Sequence, residues 1–139
     1  MTENLTIDDA ATRWSHTDRA GLPLLVLLHG YGADEHDLFG LVPYLQAGVA
    51  VASVAAPLTP PWPTPGRSWY PIEGLDGRSS TAVTLAAEAF LRWLDDAAAD
   101  APSVALLGFS QGAAVSLQAL RLAPERFGAV VALSGYAAP

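Results

Sequence analysis

Runs of consecutive apolar residues, not strict alternation, dominate this chain. Pro23-Leu24-Leu25-Val26-Leu27-Leu28, Val49 to Ala55, Val104 to Leu107 and Ala129 to Leu133 are each apolar or nearly so throughout. Runs of that length suit strands covered on both faces, as in a parallel sheet. Between them the period changes. Val83, Ala87, Phe90, Leu91, Leu94 and Ala98 recur at helical spacing, predicting a helix from Thr81 to Asp100 before Pro102. Glu88, Arg92, Asp95 and Asp96 fall on its other side as a solvated face. Ala113 to Ala123 is apolar on almost every side, which predicts a buried helix that Pro124 ends. Leu38, Leu41, Val42 and Leu45 form a shorter stripe, with Asp34 as a helix N-cap and Pro43 as an interruption. Leu5, Ile7, Thr12 and Trp14 alternate loosely with polar residues and suggest a weak edge strand or two.

The alternation of strands and helices predicts one α/β domain over residues 1–139, a three-layer sandwich on a mostly parallel sheet. Residues 56–80 interrupt it with a long irregular stretch rich in proline and glycine, which also holds Trp62, Trp69 and Tyr70. Loops of this length in a compact domain are commonly functional. Trp69 and Tyr70 are candidates to line a substrate cleft, or else they pack the loop onto the body; Trp62 reads as packing.

Composition narrows the function classes. A chain with 51% hydrophobic and 15% charged residues reads as a well-buried domain, not a disordered one. Cysteine is absent, which excludes disulfides, a cysteine nucleophile and thiolate metal sites. The net charge of −7 argues against a nucleic-acid partner. No apolar run is long enough for a membrane span, and Met1 to Arg13 lacks the pattern of a signal peptide, so a cytoplasmic location is expected. His16, His29 and His36 show no metal-ligand spacing, and neither a metal nor a cofactor is expected.

The chemistry concentrates where the third long apolar run meets the buried helix. Gly108-Phe109-Ser110-Gln111-Gly112 is a G-x-S-x-G pentapeptide between a strand and a helix, the context in which it forms a nucleophile elbow. Ser110 is the candidate nucleophile. Side chains at positions 108 and 112 would collide with the neighbouring strand or helix. The bland reading is a small-residue loop. Acyl transfer also needs two N–H donors for a developing oxyanion. One is the N–H of Gln111, next to the serine; the other is that of Tyr31, in the loop His29-Gly30-Tyr31-Gly32 after the first long strand.

These two motifs together resemble the α/β-hydrolase fold. More narrowly, they resemble the phospholipase/carboxylesterase family, which includes carboxylesterases and acyl-protein thioesterases. Ser68-Trp69-Tyr70-Pro71-Ile72, Pro124-Glu125-Arg126-Phe127 and Ala132-Leu133-Ser134-Gly135 agree with it, so the match runs from about Leu24 to Pro139. The resemblance implies hydrolysis of carboxylic esters or thioesters through an acyl-serine intermediate. Scarce methionine and the lack of a long apolar loop favour a small soluble ester as substrate over a lipid.

One departure qualifies this. In α/β-hydrolases the triad acid and base follow the serine. No histidine and no aspartate follows Ser110, and Glu125 reads as a surface acid. His29 more plausibly braces its loop, and His16 and His36 are poor substitutes. The triad acid and base are therefore none in this chain. It reads as a C-terminally truncated hydrolase, a fold lacking its last strands, and impaired activity is expected. Ala129 to Leu133, apolar on both alternating sets, reads as an interior strand with nothing after it. Its open edge suggests a homo-oligomer or a completing chain. The alternatives are an inactive fragment and a partner-binding module. A flavodoxin-like nucleotide binder is weaker, since no G-x-G-x-x-G follows a strand.

Overall fold

A computed structural model describes residues 5–72 and 80–138. Gly74 and Gly77 of the long irregular stretch, Met1 and Pro139 lie outside the described residues. Each long apolar run is a strand: β2 (Leu24–Leu28), β3 (Ala50–Val54), β4 (Val104–Phe109) and β5 (Ala129–Leu133). The weak N-terminal pattern resolves into one short strand, β1 (Arg13–Trp14). The sheet order is β1-β3-β2-β4-β5, with β1 antiparallel to β3 and every other pairing parallel. The α/β class and the mostly parallel sheet are as expected.

Helix α1 (Ser80–Ala97) and helix α2 (Gln111–Leu122) cover one face of this sheet. That face is built from Val26 and Leu28 of β2, Ala52 and Val54 of β3, and Val104 and Leu106 of β4, all buried. Helix α1 presents Val83, Ala87, Phe90 and Leu94 to it, each 0% exposed. A large apolar side chain buried in this way contributes roughly 1.5–3 kcal/mol. The charges on the other side of α1 (Glu88, Arg92, Asp95, Asp96) are exposed, as expected. Helix α2 lies closer still because its first turns are small. A Cβ at Gly112 would overlap the Leu28 carbonyl oxygen and sit 2.5 Å from that of His29.

One expectation changes. Residues 38–44 form a 3-10 helix (Leu38–Tyr44) preceded by Asp37, with none of its residues buried. Pro43 lacks the N–H that an α-helix needs and Gly40 is a poor helix former, so the apolar stripe does not extend into an α-helix. Asp34 accepts the N–H of His36 instead of capping a helix. Strand β5 lies at the edge of the described sheet, as expected from the lack of an apolar run after it, with Val131 47% and Leu133 45% exposed. Its Val130 side packs against the core, while Val131 and Leu133 lie on the sheet face away from α2, beside Leu107 and the exposed Phe109. Among the described residues, that second face carries the 3-10 helix over β2 and β3 and no α-helix. No helix of the described residues is long and apolar enough to cross a membrane.

The chain runs from β2 outward to β3, then crosses back to β4 on the other side of β2. The loops leaving β2 and β4 therefore diverge at a topological switch point, where open α/β sheets hold their ligands. His29 and Ser110 begin those two loops.

Candidate active site

Register brings the two sequence motifs together. Leu28 pairs with Gly108, so the residues that follow, His29-Gly30 and Phe109-Ser110, leave the sheet side by side. A Cβ on Gly30 would lie 3.2 Å from that of Ser110, a tight contact that would make its neighbours give by a few tenths of an ångström. Ser110 sits at the apex of the turn from β4 into α2 with φ 57° and ψ −114°. That is a costly conformation for a residue with a side chain, of the kind that persists where surrounding structure enforces it. Here Ser110 N–H donates to Leu133 O at 2.8 Å, and Ser110 O accepts from Ala113 N at 3.0 Å.

The loop from His29 to Glu35 is fixed from three sides. His29, 1% exposed, donates from Nδ1 to the Gly30 carbonyl at 2.8 Å and accepts the Ala56 N–H at Nε2 at 3.0 Å. Burial pushes its imidazole below the usual 6.5; the Gly30 carbonyl and the charges of Asp34 and Glu35 oppose that shift. Gly32 N donates to Arg67 O at 2.9 Å and Arg67 N to Ala33 O at 2.8 Å. The Arg67 guanidinium then engages the buried Glu35 carboxylate at 3.0 Å. Burial works to raise the Glu35 carboxyl, but its own backbone N–H and Arg67 outweigh that and hold it below the usual range. The N–H groups of Tyr31 and Gln111 have no hydrogen-bond partner among the described residues, whereas their neighbours Gly32, Ala33, Ser110 and Ala113 all donate.

Ser110, Tyr31, Gln111 and Tyr70 line one cavity of about 140 Å³, together with Ile72, Ser134 and Tyr136. The Tyr70 and Tyr136 hydroxyls meet at 2.7 Å in its wall. Trp69 is elsewhere. It is 0% exposed, packs edge-on against Phe90 at 6.4 Å and does not line this cavity. Of the two readings open for it, the structure therefore gives packing, because its indole N–H finds a buried acceptor in the His29 carbonyl at 2.8 Å. Trp62, read as packing, is instead 93% exposed. Ser134 and Tyr136 were not singled out as site residues, although they follow a strand beside β4 and so emerge at the same end of the sheet. Larger hollows of about 420 and 440 Å³ border Trp14 and Trp93, and neither is lined by a serine or a histidine.

No side chain among the described residues accepts a hydrogen bond from Ser110 Oγ. Both His29 nitrogens are taken, His16 Nδ1 meets Ser15 Oγ at 2.7 Å, and His36 Nδ1 accepts from Arg13 at 2.7 Å. Asp34, Glu35 and His36 bring possible metal-ligand atoms within 4.8 Å of one another, but Glu35 and His36 are already engaged by Arg67 and Arg13. Chemically, the arrangement offers a half-buried, cavity-lining hydroxyl on a strained turn with two unused N–H groups nearby.

Sheet order, crossover and the tight strand-to-helix turn at Ser110 together fit an α/β-hydrolase fold. Residues 15–139 match the Phospholipase/Carboxylesterase family, and the chain belongs to it. Among solved structures, esterase PE8 is similar over 96% of this chain and 66% of that one, with TM-score 0.82 and 26% identity. A phospholipase/carboxylesterase from Dyadobacter fermentans is similar over 99% of this chain and 64% of that one, with TM-score 0.70 and 20% identity. The Zea mays acyl-protein thioesterase 2 is similar over 92% and 56%, with TM-score 0.64 and 21% identity. The last two likenesses concern the fold. The chain spans 66% or less of each of these relatives.

Proposed function

We propose that these 139 residues form the nucleophile-bearing part of a serine hydrolase of small carboxylic esters or thioesters. The observation that carries this is the pairing of Ser110, at φ 57° on its elbow, with the unused N–H groups of Tyr31 and Gln111 in one cavity. Ser110 Oγ attacks the ester carbonyl, and the two N–H groups receive the charge that develops on its oxygen. The hydroxyl proton passes to solvent, the bond to the leaving alkoxide or thiolate breaks and that group leaves protonated by solvent, giving an acyl-serine that water hydrolyses to the carboxylic acid and free Ser110. No cofactor takes part.

The attack needs a group to take the hydroxyl proton, and His29 cannot, since its lone pair is spent on Ala56. By themselves these residues therefore turn over esters slowly. Hydrolysis of p-nitrophenyl acetate by the native chain and by Ser110→Ala tests this. Slow turnover that Ser110→Ala removes is expected. Turnover in the usual enzymatic range of about 1–10³ s⁻¹ would overturn the impairment. Turnover indifferent to Ser110→Ala, or none at all, would overturn the hydrolase reading for this chain.

The open edge of β5, the last strand of the described sheet, favours a second reading, an assembly module that pairs this edge with a second copy of the chain. Light scattering decides: a dimer is expected, and a monomer at high micromolar concentration would count against it.

A further inference from the structure

We propose that Trp69 is a positioning residue that fixes the two oxyanion donors relative to each other, a role that rests on the hydrolase reading above. Trp69 is hydrogen-bonded at both ends. Its backbone N–H donates to Gln111 Oε1 at 2.7 Å, and its indole Nε1–H donates to the His29 carbonyl at 2.8 Å. Gln111 Nε2 in turn donates to the Tyr70 carbonyl at 2.7 Å, so the Gln111 amide is held at both of its atoms. Gln111 carries one oxyanion donor on its own backbone. The His29 carbonyl stands at the base of the loop that carries the other, on Tyr31. The path Gln111–Trp69–His29–Gly30–Tyr31 thus joins the two N–H groups through two hydrogen bonds and two side chains, those of Gln111 and Trp69, with all three bonded partners buried.

Donors aimed at a developing oxyanion are effective because they are already in place, and an error of about 1 Å costs on the order of a hundredfold in rate. Packing alone would not need this arrangement. The Trp69 ring touches Phe90 at 6.4 Å and His29 at 5.8 Å between centroids, and an aromatic ring without an N–H keeps both contacts. The indole N–H, and not the ring, is what the coupling requires.

The test replaces Trp69 by 3-benzothienylalanine, which keeps the shape and exchanges N–H for sulfur. The probe is a fluorophosphonate. Ser110 Oγ forms a bond to phosphorus, the P–F bond breaks, fluoride leaves and the hydroxyl proton passes to solvent. Intact-mass kinetics give the maximal labelling rate and the half-saturating probe concentration separately. Amide hydrogen exchange at Gly32 and Ala33 reports on the loop without any chemistry. The expected result is a maximal rate about tenfold or more lower, unchanged half-saturation, and faster exchange at Gly32 and Ala33 with α1 unaltered. Gln111→Met, which removes the other hydrogen bond of the path together with the one to the Tyr70 carbonyl, should do the same. Native labelling and native exchange in either folded variant would overturn the proposal. If the native chain is not labelled at all, the hydrolase reading fails. Exchange alone then decides the coupling, and unchanged exchange rejects it.

Discussion

The Ala56 backbone N–H donates to His29 Nε2 at 3.0 Å, a bond that only an unprotonated nitrogen can accept. Because Nδ1 simultaneously faces the Gly30 carbonyl at 2.8 Å, the ring is fixed as the neutral Nδ1–H tautomer. Burial, the main cause, lowers its pKa from 6.5, so the unfolded chain takes up this proton first as pH falls. Stability contributed by the neutral ring is complete above about pH 6.5 and declines below it until the folded form also protonates. Urea unfolding at a series of pH values should show a fall of at most about 1.4 kcal/mol per pH unit from this group. His29→Gln should flatten the curve in that window. An unchanged slope in the variant would mean that the ring does not titrate as described.

Arg67 and Glu35 work in the opposite charge sense on the same loop. The Glu35 carboxyl is held low, so its contribution is present above the ordinary value of 4.5 and is lost as pH drops through the lower folded value. Arg67→Met removes the cation from a carboxylate whose side chain is only 10% exposed. The loss should be about 1–2 kcal/mol, between the values for exposed and buried pairs. Acid unfolding should begin at higher pH in this variant, which circular dichroism can follow.

Gly112 and Gly40 should respond oppositely to alanine. At Gly112 a Cβ meets the Leu28 and His29 carbonyls, which are backbone and cannot yield cheaply. Gly112→Ala should cost about 3 kcal/mol or more, or give insoluble protein. At Gly40 nothing lies within 4 Å, and Gly40→Ala should be neutral or stabilising by up to about 1 kcal/mol. Thermal midpoints of the two variants check both.

Much of this is legible in the chain because it is local. Glycines flanking Ser110 announce a turn where backbones nearly touch, and continuous aliphatic runs announce covered strands. Other features depend on partners far away in sequence. That Val131 and Leu133 stand exposed on one sheet face is invisible in Ala129–Leu133, since an apolar run on both faces says nothing about what covers each face. Trp69 reads equally well as a cleft wall or a core residue until the His29 carbonyl is seen to take its N–H. The Glu35–Arg67 pair joins two loops that no sequence pattern connects. Gln111 draws notice for its backbone position, and its side chain proves to be the tie to the aromatic segment.

The Tyr70–Tyr136 pair suggests a limit on acyl length. At about 140 Å³, the Ser110 cavity is well below the 300–1,000 Å³ of pockets for drug-sized ligands. Acetyl and butyryl p-nitrophenyl esters should acylate Ser110 at least tenfold faster than a decanoyl ester, a difference of about 1.4 kcal/mol in barrier. Tyr136→Ala should narrow that difference. Release of p-nitrophenol in the first turnover measures it.

The proposed chemistry requires Ser110 as the nucleophile. Its most direct test is intact-mass and peptide mapping of the folded chain after exposure to a fluorophosphonate, beside Ser110→Ala. One adduct, on Ser110, absent from the variant and from urea-unfolded chain, is the predicted result. No adduct on the folded chain, or one that persists in Ser110→Ala, would contradict it.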